Sequence, residues 1–312
     1  MLSRTADSLY WLSRYIERAE NTARIIDAAA RLAALPQGYG STNEWESALL
    51  ATGSLTAFTE RHGEATEEKV IEYLAFSASN PSSIRNCLEI ARQNARAVRT
   101  ALTAEMWETI NSAWLELRQF NPTDVDPGRI SDFLRFVKQT SLAYDGSAYR
   151  TMLRSEAYFF TRLGVYLERA DATARILDVK YHVLLPPGAP VGGSLDYFQW
   201  SSILRSVSAL TSYHWVYRQN LKPWLVADLM ILNAQMPRSV ASCYENIARY
   251  LDLLARAHGR QGPSQRLARA TFSRLSNANI DEVFQSGLHE FLSEFIADNN
   301  KLGALITDQY LV

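Results

Sequence analysis

Residues 15–27 read YIERAENTARIID, and residues 166–178 read YLERADATARILD. Nine of the thirteen positions are identical, and Ile16/Leu167, Glu20/Asp171 and Ile26/Leu177 differ only conservatively. Apolar residues surround each stretch at spacings of three and four. They are Leu9, Leu12, Ile16, Ala19, Ala23, Ile26, Ala30 and Ala33 in the first, and Phe160, Leu163, Leu167, Ala170, Ala174, Leu177, Tyr181 and Leu184 in the second. That period puts each set on one face of a helix. Alanines at 19 and 23 leave room for another backbone to approach. No run of alternating β-branched residues competes anywhere in the chain, so the expected class is all-α.

Working outward, the first helix ends near Leu35, before the loop PQGYG at 36–40, and the second stretch runs into PPGAPVGG at 186–193. Each loop leads to a helix carrying a tryptophan, Trp45 or Trp200. A second block also recurs: NPSSIRNCLE at 80–89 matches MPRSVASCYE at 236–245, aligning Pro81 with Pro237, Ser83 with Ser239, Cys87 with Cys243 and Glu89 with Glu245. Proline suits the first turn of a helix, so each block reads as a helix start. The expectation is a pseudo-symmetric helical bundle of two related halves, 1–145 and 146–312, together forming one compact unit or two. Their boundary is sought in NPTDVDPG at 121–128 or in a turn at AYDGSAY, 143–149. Two copies make a bundle, not a solenoid.

The chain has 312 residues, more than one hydrophobic core usually spans, which agrees with two halves. Thirty-two basic against 33 acidic residues argue against a large non-specific nucleic-acid surface or a polybasic membrane anchor. No apolar stretch is long enough to span a bilayer, and Arg4, Asp7, Arg14 and Glu17 break any secretory pattern at the N-terminus. Two cysteines build neither a disulfide framework nor a four-thiolate zinc site. A reducing cytoplasm is the expected compartment.

The charges of the repeated stretch are the main candidates for function. Glu20 and Arg24 are four residues apart, as are Asp171 and Arg175, so each can pair along its helix. Glu17 and Glu168 lie two turns before Arg24 and Arg175, on stripes away from the Leu/Ala face, with Arg18 and Arg169 alongside. The two halves carry nearly the same polar residues. Two explanations stay open: a solvated face laced with ion pairs, or a polar ligand pocket. A further stripe follows Pro81, where Arg85, Glu89, Arg92, Arg96 and Arg99 share one helix face. Arginines so grouped bind phosphate or carboxylate, or pair with acids such as Glu17 and Glu20. The second half has Ala241, Ala248 and Asp252 where Arg85, Arg92 and Arg96 stand. Only five of the 32 basic residues are lysines, a bias that suits planar recognition but also arises from base composition.

Other chemistries lack their residues. No histidine follows a glutamate at the Glu-x-x-His spacing of a di-iron bundle, so no metal site is expected. Asp178 and His182 are four apart, but Ala33 stands at the corresponding place in the first half. There is no Gly-x-Ser-x-Gly elbow and no Gly-x-x-x-x-Gly-Lys loop. No cofactor is expected. Cys87 and Cys243 read as small buried hydrophobes. The seven tryptophans read as core or interface anchors.

MLSRTADSLYWLSRYIERAENTARIID, the NPSSI start, ARQNARAVR, MWETIN and LGVYLERADATARILDVKYHVLLP together resemble the alpha-E family of bacterial helical proteins. The resemblance covers essentially the whole chain. It implies an all-helical protein found beside, or fused to, a circularly permuted ATP-grasp protein, often near a transglutaminase-like protein. It therefore implies a role in ATP-dependent amide or peptide bond formation, or in peptide modification. The family pattern commonly reads Ala-Arg-Glu-Asn-Ala-Arg where this chain has Gln93, so a role needing a carboxylate there is not implied. Three roles follow. The protein is a non-catalytic partner that holds a substrate or the ligase through Glu17, Arg18, Glu20, Arg24, Glu168, Arg169, Asp171 and Arg175, with Arg92 and Arg96 as further contacts. Alternatively, it is an enzyme with Glu17 as general base, or a structural homo-oligomer.

Overall fold

The computed structural model describes residues 1–34, 43–120, 127–182 and 194–311, and every regular element among them is helical. The first repeated stretch lies on α1 (Ser3–Ala33). There follow α2 (Glu44–Ala51), α3 (Leu55–His62), α4 (Glu67–Ala75), α5 (Ile84–Ala97), α6 (Ala104–Leu117) and α7 (Pro127–Thr151). The second stretch lies on α8 (Glu156–His182). After it come α9 (Ser194–Ser206), α10 (Leu210–Tyr217), α11 (Pro223–Ile231), α12 (Val240–His258), α13 (Pro263–Asn277), α14 (Ile280–Ser286) and α15 (Leu288–Ile306). A single-turn 3-10 helix, Arg99–Ala101, joins α5 to α6, and a π turn, Thr307–Leu311, ends the described chain. The loops at 36–40 and 186–193 lie outside the described residues, as do the side chains of Tyr181, His182 and Leu184.

The apolar faces are where the spacing puts them. Leu9, Leu12, Ile16, Ala19, Ala23 and Ile26 are buried on α1, and Phe160, Leu163, Leu167, Ala170, Ala174 and Leu177 on α8. The two helices pack along each other, with α5 against α1 and α12 against α8. One continuous apolar cluster runs through the four and draws in residues of α7, α9, α11 and α15. Such continuity makes all of these helices share the free energy of burial, roughly 25 cal/mol per Å² of apolar surface.

Helices α1 and α8 approach closely at Ser13 and Gly164, which occupy the same place in the two aligned stretches. A side-chain carbon on Gly164 would lie 2.3 Å from the Tyr10 carbonyl oxygen and 3.1 Å from Ser13 Cβ. Only glycine fits there. Ser13 Oγ hydrogen-bonds to Tyr144 Oη at 2.9 Å, which ties α7 to the crossing.

The recurring Pro/Ser blocks begin helices, but serine does the capping. Ser83 Oγ accepts from the Asn86 amide at 3.3 Å, and Ser239 Oγ from the Ser242 amide at 3.0 Å. Pro81 and Pro237 lie in the turns before them, because an extended N-cap with a hydroxyl satisfies amides that proline cannot. The stretch 143–149 is not a turn. It forms the last turns of α7, where Tyr144 and Ala148 face the core, and burial of that face outweighs the helix-weakening Gly146. Residues 121–126 of the other boundary segment lie outside the described residues.

Candidate functional site

The middle of helix α1 is buried all round. Every residue from Ala19 to Ile26 is buried, charged ones included, because α2, α5, α7, α8 and α9 enclose it. The solvated-face explanation of the Glu/Arg stripe therefore fails. Glu17, Glu20 and Glu168 are buried, with Glu17 only 2% exposed. A carboxylate so placed needs partners for its charge and lone pairs.

The partners cross between the two helices. Arg169 of α8 donates to Glu17 of α1 from Nε at 2.9 Å and from Nη2 at 2.8 Å. Arg18 of α1 donates to Glu168 of α8 from Nε at 2.6 Å and from Nη2 at 3.0 Å. Each Glu-Arg dipeptide thus gives its acid to, and takes an acid from, the other. Both contacts are two-pronged, the geometry in which guanidinium and carboxylate match best.

A second arginine reaches each glutamate. Arg14 Nε donates to Glu168 at 2.8 Å, and Arg238 Nη1, from the turn before α12, reaches Glu17 at 3.2 Å. Burial alone would raise both carboxyl pKa values, but the flanking arginines outweigh it and hold each at about 2. Burial depresses Arg238, against the pull of Glu20 and Glu17.

Glu20 and Asp171 make the expected pairs along their own helices. Arg24 Nε donates to Glu20 at 2.8 Å, and Arg175 Nε to Asp171 at 2.6 Å. Glu20 also accepts from Arg238 Nη2 at 2.5 Å and from Ser141 Oγ of α7 at 2.6 Å. Desolvation raises the Asp171 pKa, partly offset by Arg175.

Arg24 and Arg175 also reach across. Arg24 Nη1 donates to the Ser206 carbonyl at 2.5 Å and to Ser208 Oγ at 3.3 Å, clamping the turn between α9 and α10. Ser208 has a left-handed backbone, φ 59°. The matching turn between α2 and α3 has Gly53 at φ 67°, where an added side-chain carbon would lie 3.7 Å from Arg175 Nη1.

Arg92 and Arg96 do not join this centre. Both lie on α5, where Arg92 Nε donates to Asn111 Oδ1 of α6 at 3.2 Å and Arg96 is exposed. None of the α5 arginines reaches Glu17 or Glu20. The spacing within α5 fixes its face but not which neighbour it meets.

Arg14, Arg238 and Ser141 are members that the sequence did not single out. Arg14 lies one turn before Arg18 and so shares its stripe. Arg238 stands where the first block has Ser82, a substitution visible in the aligned blocks but masked by their Pro/Ser match. Ser141 carried no signal.

Chemically, the centre is saturated. Its glutamates accept from two or more donors each, and Glu17, Glu20 and Glu168 are all buried. Cys87 and Cys243 lie beside the exchange, fully buried, with burial pushing both thiols to about 12. Among the described residues no group of three or more His, Cys, Asp or Glu side chains could hold a metal ion, and no helix could cross a membrane. Asp178 meets His289 Nδ1 of α15 at 2.6 Å.

Fold and centre together define a class: an all-helical protein whose two longest helices are locked by a buried exchange of Glu-Arg dipeptides. The chain belongs to the Alpha-E family, described as a predicted alpha-helical domain with a conserved ER motif, which matches residues 1–311. The exchanged dipeptides at 17–18 and 168–169 have that composition. An uncharacterized protein of Mycobacterium bovis is 22% identical over 94% of this chain, and one of Mycobacterium tuberculosis is 21% identical over the same share. The chain spans about a third, 35%, of the length of each. No solved structure matches the chain.

Proposed function

We propose that this protein is a non-catalytic helical component of an ATP-grasp-dependent system that forms amide or peptide bonds or modifies peptides. The observation that carries this is the saturation of the Glu/Arg centre. A general base working near neutrality needs a carboxyl with a raised pKa and access to substrate. Glu17 has neither, being sealed and held at about 2 by two arginines. The motif is spent on joining α1 to α8, which leaves recognition to outer faces. The greater length of the mycobacterial relatives supports a helical region that works as part of a larger assembly.

The partner face in this reading is on α10 and α11. Trp215 is 76% exposed beside Val216, over a cleft of about 370 Å³ floored by Leu229 and Met236. Exposed aromatics next to a cleft are typical anchors of protein interfaces.

Calorimetric titration of the ATP-grasp protein into this one, with and without ATP, tests the reading. Binding is expected, and Trp215→Ala weakens it while the melting temperature stays unchanged. Absence of binding under both conditions, on well-folded samples, overturns it. Self-association detected by sedimentation and removed by the same substitution would instead favour a homo-oligomer.

A further inference from the structure

We propose that the face formed by α5 and α6 docks an acidic peptide segment in extended conformation. Arg85, Arg92, Arg96 and Arg99 follow one another along α5 and the 3-10 turn after it, and Arg118 lies at the end of α6. Among the described residues none of the five forms an ion pair. The arginines of the centre between α1 and α8, by contrast, are all paired with acids. Arg92 bonds only the neutral Asn111, and Arg85 makes only a long contact of 3.5 Å with the Phe120 carbonyl. Glu89 is the one acid on the stripe.

The arginines are held ready by aromatic rings. The Arg92 guanidinium carbon lies 5.8 Å from the centre of the Trp114 ring, and that of Arg99 lies 5.3 Å from Trp107. Stacking on a ring occupies the guanidinium face and leaves its N–H edge free to meet a carboxylate. Arg85, Arg118, Trp114 and Leu117 line a cleft of about 320 Å³ at the end of the row.

The second half shows what this position looks like without such a role. There the corresponding Ala241 and Ala248 are buried, and Asp252 is paired with Arg269 at 2.8 Å. At these aligned positions only the first half carries long basic side chains.

Geometry selects the ligand. Arg85 and Arg92 lie two turns apart on α5, about 10 Å along the helix, and Arg99 continues the row on the 3-10 turn. Every third residue of an extended peptide recurs at about the same distance. Nucleic acid fits less well, because the tryptophan faces that would stack bases already carry guanidinium groups.

The test uses fluorescence anisotropy at low salt on the full chain. The probes are a fluorescein-labelled peptide with three Glu-Ser-Ser repeats, its Gln-Ser-Ser counterpart and a labelled oligothymidylate. The proteins are wild type, Arg92→Gln/Arg99→Gln, and the charge-matched Arg61→Gln/Arg135→Gln. The Glu peptide is expected to bind wild type and the charge-matched control alike. It should bind Arg92→Gln/Arg99→Gln at least about tenfold more weakly, the contribution of one charge-assisted contact. If loss of the Arg92–Asn111 bond unfolds that variant, Arg96→Gln/Arg99→Gln changes two exposed side chains and must show the same weakening. The proposal is overturned if the Glu and Gln peptides bind equally, if both protein pairs lose affinity alike, or if the oligothymidylate binds more tightly than the Glu peptide.

Discussion

Arg169 of α8 grips Glu17 of α1 with two parallel hydrogen bonds, 2.9 and 2.8 Å long, inside a packed helical core. With its reciprocal, Arg18 on Glu168, it makes the dipeptides a two-way lock. Removing one member of a buried pair leaves an uncompensated charge and costs about 3–5 kcal/mol. Glu17→Gln and Glu168→Gln should each lower stability by that order in urea unfolding followed by circular dichroism. The coupling belongs to partners across the interface. In double-mutant cycles Glu17→Gln should interact strongly with Arg169→Gln and weakly with its sequence neighbour Arg18→Gln. Strong coupling within a dipeptide would contradict the exchange.

The same lock sets an acid limit. Glu17 and Glu168 are held at about 2 in the folded chain, against an ordinary value of 4.5. Between those values the unfolded chain binds protons that the folded chain does not. Stability from these groups is therefore complete above about pH 4.5 and is lost as pH falls toward 2. Each group contributes about 1.4 kcal/mol per pH unit in that window. Melting temperature should be flat with respect to these two groups from pH 7 to pH 5 and fall below that. In Glu17→Gln/Glu168→Gln the acid slope should be shallower, and an unchanged slope would remove these carboxylates as its cause.

The helical class, the buried faces of α1 and α8 and the pairs Glu20–Arg24 and Asp171–Arg175 were legible because period and spacing act within one helix. The exchange was not, because nothing local says that Arg18 turns from its own helix toward Glu168. Ion pairing looked like a surface property since polar stripes usually face water. Here the enclosing helices bury a stripe whose charges cancel one another. The supposed turn at 143–149 failed for a similar reason. Glycine and aspartate weaken a helix locally, but Tyr144 and Ala148 gain more by packing.

Asn21 marks a local flaw. Its side-chain amide is buried with neither polar atom partnered among the described residues, and the aligned stretch has Ala172 there. Removing a buried polar group that lacks partners relieves about 1–3 kcal/mol of desolvation, less what the lost volume costs. Asn21→Ala should therefore leave stability unchanged or raise it by about 1 kcal/mol in chemical denaturation. A loss above about 2 kcal/mol would mean that the amide has a bonded partner such as water.

Cys87 and Cys243 are fully buried, with thiols pushed to about 12. A thiolate is the reactive form, so neither should react with a disulfide reagent in the folded protein at pH 8. Labelling should appear only with unfolding and accelerate in Glu17→Gln, whose lock is weakened. Fast labelling of one thiol in the native wild type would show that its helix opens locally.

Two glycines give the same substitution opposite signs. Gly164 lies where α8 crosses α1, and an added carbon would meet the Tyr10 carbonyl oxygen at 2.3 Å, too close for any side chain. Backbone cannot yield as a flexible side chain does, so Gly164→Ala forces the helices apart. It should cost about 1–3 kcal/mol or more, and it should also weaken the coupling between Glu17 and Arg169 by lengthening their reach. Gly146 lies on α7 with nothing within 4 Å of the corresponding carbon. There alanine only improves helix propensity, and Gly146→Ala should add about 0.5–1 kcal/mol. Paired melting curves decide the matter. If both substitutions were neutral, α1 and α8 would not be in backbone contact, and the two-pronged Glu-Arg exchange would lose the close approach on which its geometry depends.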